Sequence, residues 1–547
     1  MIEITGDGLS IEALSAIARG GAEVRPPAES VRLRMRASLD WVASAAGGET
    51  AVYGINTGFG VLAKRRIAPA EASRLSRNVI LKCCVGVGAP LPADVVRAMM
   101  AIRADTLSTG TSGVRPLLVD TYVAMLNAGI TPWVPEKGSL GASGDLAPLA
   151  HIAVVMTRDP DPPAAAREPG AGMAPGATAE AARVDHSGKA WFEGELLTGA
   201  EAMRRAGIER FVPGPKEGLA LTNGTTLMVA AAALGVLDAE SLLDHADISA
   251  ALSLEALQAL SAAFDADLHL ASGQHGQAEA AERIRALVAG SRLIDADDSR
   301  VQDAYSIRCV PQVHGPARDA VAFIRSRVES LLGGTSDNPL VFVSGDGAAT
   351  GRAISGGNFH GQGLAFWLDL LGIVVAEVAS LAERRTFRLL TPELSNGLPP
   401  MLVANPGLDS GLMMGQYTQA ALVSDNKTLA HPDSVDSIPS SANQEDHVSM
   451  GANAARHARE IIDNVRYVIA IELMTAAQGI DLRDDGPTRL GRGTAAAHEA
   501  VRTLVAHWAH DRIVYEDIEA LAGLIRSGTL ASAVASACDP QPSDPQA

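Results

Sequence analysis

Apolar residues recur at steps of three and four over long stretches of this chain, the period of an amphipathic helix. Ile461, Ile462, Val465, Val468, Ile469 and Leu473 form one such stripe. Val321, Ile324, Val328, Leu331 and Leu332 form another, and Gly333 and Gly334 are expected to stop it. Similar stretches run through 364–381 and 413–422, while alternating strand patterns are few. The residues are 47% hydrophobic but only 4% aromatic, so Ala, Leu and Val must fill the interior, which suits close helix packing. The expected fold is mainly α, a long central helical bundle with a smaller, mixed N-terminal part.

A chain of 547 residues exceeds one ordinary core. Residues 159–182 are dense in Pro, Ala and Gly and sustain no period, which predicts a loop or hinge. The expected organisation is therefore an N-terminal part, 1–157, a loop at 158–190, a helical bundle at 191–537 and a frayed tail at 538–547. No repeat of solenoid period is present. The net charge of −18 opposes a phosphate-tracking surface, so no nucleic-acid partner is expected, and an anionic substrate must meet a local cation. Cys83, Cys84, Cys309 and Cys538 show no metal-ligand or disulfide spacing. The first twenty residues lack a signal-peptide core, and apolar runs such as 227–237 are read as too short to span a bilayer. A cytoplasmic protein with no membrane partner is expected.

The chemistry concentrates in Gly138-Ser139-Leu140-Gly141-Ala142-Ser143-Gly144-Asp145-Leu146-Ala147-Pro148-Leu149-Ala150-His151. In its bland reading this is a turn followed by a helix cap. In the sharper one, small residues let the Gly144 nitrogen reach the Ala142 carbonyl carbon. Cyclisation with loss of one water, then loss of the Ser143 hydroxyl as a second, leaves a five-membered ring with an exposed methylidene, an electrophile that no unmodified side chain supplies.

The same chain carries Tyr53-Gly54-Ile55-Asn56-Thr57-Gly58-Phe59-Gly60, Leu221-Thr222-Asn223-Gly224-Thr225, Gln302-Asp303-Ala304-Tyr305-Ser306-Ile307-Arg308, Ser355-Gly356-Gly357-Asn358-Phe359-His360 and Ser441-Ala442-Asn443-Gln444-Glu445-Asp446-His447. With the triplet segment, these six in order resemble the histidine and aromatic amino-acid ammonia-lyase family, closest in the C-terminal half to histidine ammonia-lyase. The resemblance implies a fumarase/aspartase-like fold and autocatalytic formation of 4-methylidene-imidazole-5-one (MIO) from Ala142, Ser143 and Gly144. It also implies a homotetramer with shared active sites and no diffusible cofactor.

Removing a poorly acidic β-hydrogen while an amine leaves requires a base, an electron sink and clamps for the carboxylate. By resemblance, Tyr53 is the base, and its phenol needs positive potential nearby to act as one. Arg308 suits the substrate carboxylate, which a guanidinium binds through two parallel hydrogen bonds. The resemblance implies Tyr305 near the amine and Phe359 beside the ring, and Asn223 and Gln302 are uncharged polar groups that can orient the carboxylate and the prosthetic oxygen.

Two signals bear on the substrate, a small amino acid. Glu445 and its neighbours look like the histidine-lyase version of their segment, and a carboxylate there can accept an imidazole N–H. Lys82-Cys83 stands where histidine lyases typically place Ser-His, tyrosine lyases His-Leu and phenylalanine lyases Phe-Leu. Lys82 either turns inward to pair with Glu445 or meet a phenolic substrate, or points to solvent. The expected reaction is ammonia elimination, with L-histidine to urocanate favoured. The alternatives are a phenylalanine, tyrosine or 3,4-dihydroxyphenylalanine lyase, or a 2,3-aminomutase using the same group. A serine hydrolase fits poorly, because the G-x-S-x-G spacing is missed by one residue. No metal site is expected, since His151, His314, His360, His431 and His447 lack ligand spacing and are read as structural.

Overall fold

The computed structural model describes residues 1–58, 60, 63–160, 186–297, 299–344 and 350–538. The fold is mainly α, as the periodicity requires. Its residues divide into two compact units, each discontinuous in sequence. The first comprises Met1–Leu234, Ser326–Leu368 and Pro432–Arg456, and the second Gly235–Arg325, Asp369–His431 and His457–Ala547.

The first unit is the mixed one and holds every described strand. Lys189–Phe192 and Glu195–Thr198 form a hairpin with Ala190 opposite Leu197, and Thr131–Pro132 joins its free edge. Leu340–Val343 pairs with Gly351–Ile354 in a second hairpin, and Val87–Pro90 pairs with Pro135–Lys137. The Ala93–Ser108 and Leu146–Met156 helices are buried almost all round, which accounts for their lack of a polar face. This unit differs from the expected N-terminal part ending at 157, and it is the larger of the two. Its boundary follows tertiary contact, because two later segments return to it, and they carry Phe359 and Glu445. Most of the expected loop at 158–190 lies outside the described residues, as does the tail after Cys538.

All regular secondary structure described in the second unit is helical. Ile461, Ile462, Val465, Val468, Ile469 and Leu473 are buried along the Gly451–Asp481 helix. Val321 and Ile324 are buried along Val310–Leu332, as are Val328 and Leu332 where that helix runs on into the first unit and ends at Gly333. Buried charge is paired here: Glu472 accepts hydrogen bonds from Arg385 and from the Ser249 and Ser253 hydroxyls. His314 is buried against Asp247 at 2.8 Å.

One expectation is corrected. The Thr226–Ala256 and Gln362–Leu390 helices are long and apolar enough to cross a membrane by length and composition, so the run at 227–237 is not the short segment it resembles. The helix continues through Asp238 and Glu240 to buried acidic residues that find partners. Asp247 meets Arg283 and Arg318, and Glu255 accepts the Gly491 amide. Within the protein, 78% of the apolar window of the first helix and 50% of that of the second are buried.

Candidate active site

The triplet lies on the loop between the Pro135–Lys137 strand and the Leu146–Met156 helix. Ser143 and Gly144 both have positive φ, 54° and 78°, which turns the chain so tightly that the Gly144 amide donates to the Gly141 carbonyl at 3.2 Å. An L side chain at Gly144 would run into the Gly224 carbonyl, so glycine is required by space as well as by φ. The loop is clamped from outside. Gly224 N–H donates to the Ser143 carbonyl at 3.1 Å, the Asp145 amide donates to the Gly224 carbonyl at 2.7 Å, and Met450 N–H holds the Leu140 carbonyl at 3.1 Å. Asp145 is fully buried and accepts the Met228 amide at 3.1 Å at the start of the Thr226–Ala256 helix. Burial pushes its carboxyl up to about 7 against the hydrogen bonds from Met228, Leu227 and Ser139.

Above this loop opens a cavity of about 420 Å³ lined by Tyr53, Ala142, Ser143, Asn223, Phe359 and Glu445, among others, a volume suited to a small ligand. Residues widely spaced in sequence are thus brought to one wall. The Tyr53 turn is held by buried Asn56, which accepts the Val52 amide and donates to the Ala45 and Thr50 carbonyls. The Tyr53 hydroxyl accepts the Gly60 amide at 3.3 Å. Asn223 ends the Glu217–Thr222 helix and is buried. Its Nδ2 donates to the Asn338 carbonyl at 3.3 Å, while its Oδ1 has no partner among the described residues. An unpaired buried acceptor is costly and marks a position where a donor is to be met. Glu445 follows three consecutive left-handed residues, Ser441, Ala442 and Asn443, and its Oε2 accepts the Ser440 hydroxyl at 2.8 Å.

Cys83 and Lys82 close the Ala72–Cys83 helix, Cys83 buried and Lys82 exposed. Burial pushes the Cys83 thiol up, Lys82 opposes that, and Glu445 adds to it. Cys83 therefore sits within electrostatic reach of Glu445, though neither it nor Lys82 is among the residues lining the cavity.

Gln302, Tyr305 and Arg308 belong to the second unit and do not line the cavity. They form their own cluster. Arg308 Nη1 donates to Gln302 Oε1 at 2.8 Å, and its guanidinium lies 5.0 Å from the centroid of the Tyr305 ring, whose residue is 70% exposed. Sequence reasoning missed Asn338, whose Oδ1 accepts the Gly356 amide and whose carbonyl holds Asn223. It also read His360 and His447 as structural, whereas both line the cavity. Their position inside the Phe359 and Glu445 motifs was the available signal. No cluster of three or more metal-ligating side chains occurs among the described residues.

A half-buried Ala-Ser-Gly turn with positive φ at Ser143 and Gly144 thus shares a small cavity with the Tyr53 phenol and the Glu445 carboxylate. The aromatic amino acid lyase family model matches residues 9–503, and the chain belongs to that family. It is a carbon–nitrogen lyase. The chain is 46% identical to the histidine ammonia-lyase of Anaeromyxobacter dehalogenans over 533 residues, covering 96% of this chain and 99% of that one. It is 46% identical to the histidine ammonia-lyase of Symbiobacterium thermophilum, with 98% of each covered. Among solved structures, tyrosine aminomutase from Streptomyces globisporus superposes with a TM-score of 0.86 at 33% identity, covering 99% of both chains. Histidine ammonia-lyase from Trypanosoma cruzi superposes with a TM-score of 0.84 at 36% identity, covering 98% of this chain and 95% of that one.

Proposed function

We propose that Ala142, Ser143 and Gly144 cyclise to MIO and that the enzyme eliminates ammonia from L-histidine to give urocanate. The observation that carries this reading is the triplet turn itself. Positive φ at Ser143 and Gly144 bends the backbone back on itself, and the absence of a Cβ at Gly144 lets Gly224 pack directly against it. The residues present therefore fit the group. When formed, MIO supplies an electrophilic methylidene that accepts electron density from the amine. The Gly224 amide, which donates to the Ser143 carbonyl, would hold that oxygen in the ring. Tyr53 removes the β-hydrogen, Asn223 orients the polar end of the substrate, and Phe359 packs against its ring. Glu445 accepts the imidazole N–H, a charge-assisted hydrogen bond.

Arg308 binds the carboxylate, with Gln302 and Tyr305 beside it. None of the three lines the cavity, and in this reading they serve a site completed by a neighbouring subunit of a homotetramer. Four free cysteines suit a cytoplasmic setting.

The test is intact mass followed by turnover. The folded protein should weigh about 36 Da less than its sequence, two waters lost, and Ser143→Ala should keep the full mass and lose turnover. L-histidine, L-phenylalanine, L-tyrosine and L-3,4-dihydroxyphenylalanine are then compared for ammonia release. An unmodified mass in active protein, or an active monomer, would overturn the corresponding part. A second reading, aminomutase activity, is favoured by the likeness to tyrosine aminomutase. A β-amino acid product in place of the unsaturated acid would establish it.

A further inference from the structure

Two histidines that the reaction described above leaves unused face one another in the cavity. His447 Nδ1 and His360 Nε2 are 3.3 Å apart, the ring centroids 5.4 Å apart and the ring planes 20° from parallel. Face-to-face rings would bring the centroids almost as close as the nitrogens. Here the centroid separation is the N···N distance extended by roughly one centroid-to-nitrogen length at each end, so the rings meet edge to edge, nearly coplanar, along an N–H···N line. Such a contact locks the tautomers, because one inner nitrogen donates and the other accepts. A proton taken up at one outer nitrogen and passed across the inner bond leaves from the other. Protonating both rings would set like charges in contact, so the geometry suits the passage of one proton at a time.

The lyase reaction needs a one-proton reservoir of this kind. An α-amino acid arrives as an ammonium, which has no lone pair to offer an electrophile. Of the other titratable groups lining the cavity, Tyr53 is assigned to the β-hydrogen, Glu445 is hydrogen-bonded by Ser440, and Asp446 is a carboxylate, a class of weaker base than imidazole. The two imidazoles are the lining side chains that offer a ring nitrogen as base.

Resting on the lyase reading, we infer that His360 and His447 form a two-imidazole relay that accepts one proton from the substrate ammonium and returns it to the departing ammonia. The protons balance. An ammonium N–H bond breaks and its proton moves to the pair, freeing the amine lone pair. The β-proton goes to Tyr53 and from there to the amine as the C–N bond breaks, giving ammonia. The proton on the pair then converts ammonia to ammonium, and both imidazoles end neutral as they began.

The test uses full-length His447→Asn and His360→Gln, which retain hydrogen-bonding capacity but cannot carry the proton. Each should keep the 36 Da mass deficit and the wild-type melting temperature, and lose about 100-fold in kcat with L-histidine. Added imidazole should restore part of that kcat at saturating substrate, and the double variant should be no slower than either single one. Wild-type kcat in either variant, or a loss that imidazole does not restore, would overturn the relay while leaving the lyase reading in place. A wild-type enzyme that retains all its mass and releases no ammonia would overturn the lyase reading itself.

Discussion

Gly224 grips Ser143 directly: its amide donates to the Ser143 carbonyl at 3.1 Å, while its own carbonyl accepts the next amide but one, that of Asp145, at 2.7 Å. These two bonds hold the reactive turn open to the cavity. Gly224 has φ +127°, and a Cβ there would lie 2.5 Å from Ser336 Oγ. Gly224→Ala should therefore cost about 1–3 kcal/mol in strain and leave part of the folded protein at its full sequence mass. A variant with unchanged melting temperature and a complete 36 Da deficit would show the clamp to be dispensable.

Asp145 makes stability depend on pH in an unusual direction. Its folded-state pKa of about 7 lies above the ordinary 3.8, so between these values the native state holds a proton that the unfolded chain has released. Stability from this group is full at low pH and falls as pH rises through that window. Asp145→Asn keeps an oxygen for the Met228 amide and removes the titration. Thermal melts from about pH 4 to about 7 should thus be flatter for the variant than for wild type, and parallel curves would contradict the assignment.

Glu445→Gln replaces a carboxylate acceptor by a neutral amide while leaving the cavity shape nearly intact. Losing a charge-assisted hydrogen bond to an imidazole costs about 1.5–3 kcal/mol, so kcat/KM for L-histidine should fall about 10- to 100-fold. Activity toward L-phenylalanine, however small, should not fall with it. Equal losses for both substrates would mean that Glu445 acts on the shared reaction and does not read the ring.

Glu472 holds Arg385, and Arg385 Nη1 reaches the Ser306 carbonyl at 3.4 Å, next to Tyr305. Both charged side chains are fully buried. Glu472→Gln strands the guanidinium and should cost about 3–5 kcal/mol, read as a lower melting temperature at matched protein concentration. Tyr305→Phe, at an exposed ring, should leave the melting temperature unchanged and lower kcat. If Tyr305→Phe lowers both alike, the tyrosine is structural.

The helical character was legible in the sequence because it is local: Ile461 to Leu473 and Val321 to Leu332 announce their buried faces within three turns, and Gly333 marks a stop on the spot. The Ala142-Ser143-Gly144 turn was legible for the same reason, since its chemistry needs only three adjacent residues of the right size. Tertiary structure alone decided what depends on distant contact. Nothing near residue 143 announces that Gly224 will clamp it, and nothing near His360 announces that His447, 87 residues away, will complete its hydrogen bond. The apolar run at 227–237 read as short because Asp238 and Glu240 follow it. The helix passes through them, and farther along it Asp247 finds Arg283 and Arg318, which only the folded chain brings within reach.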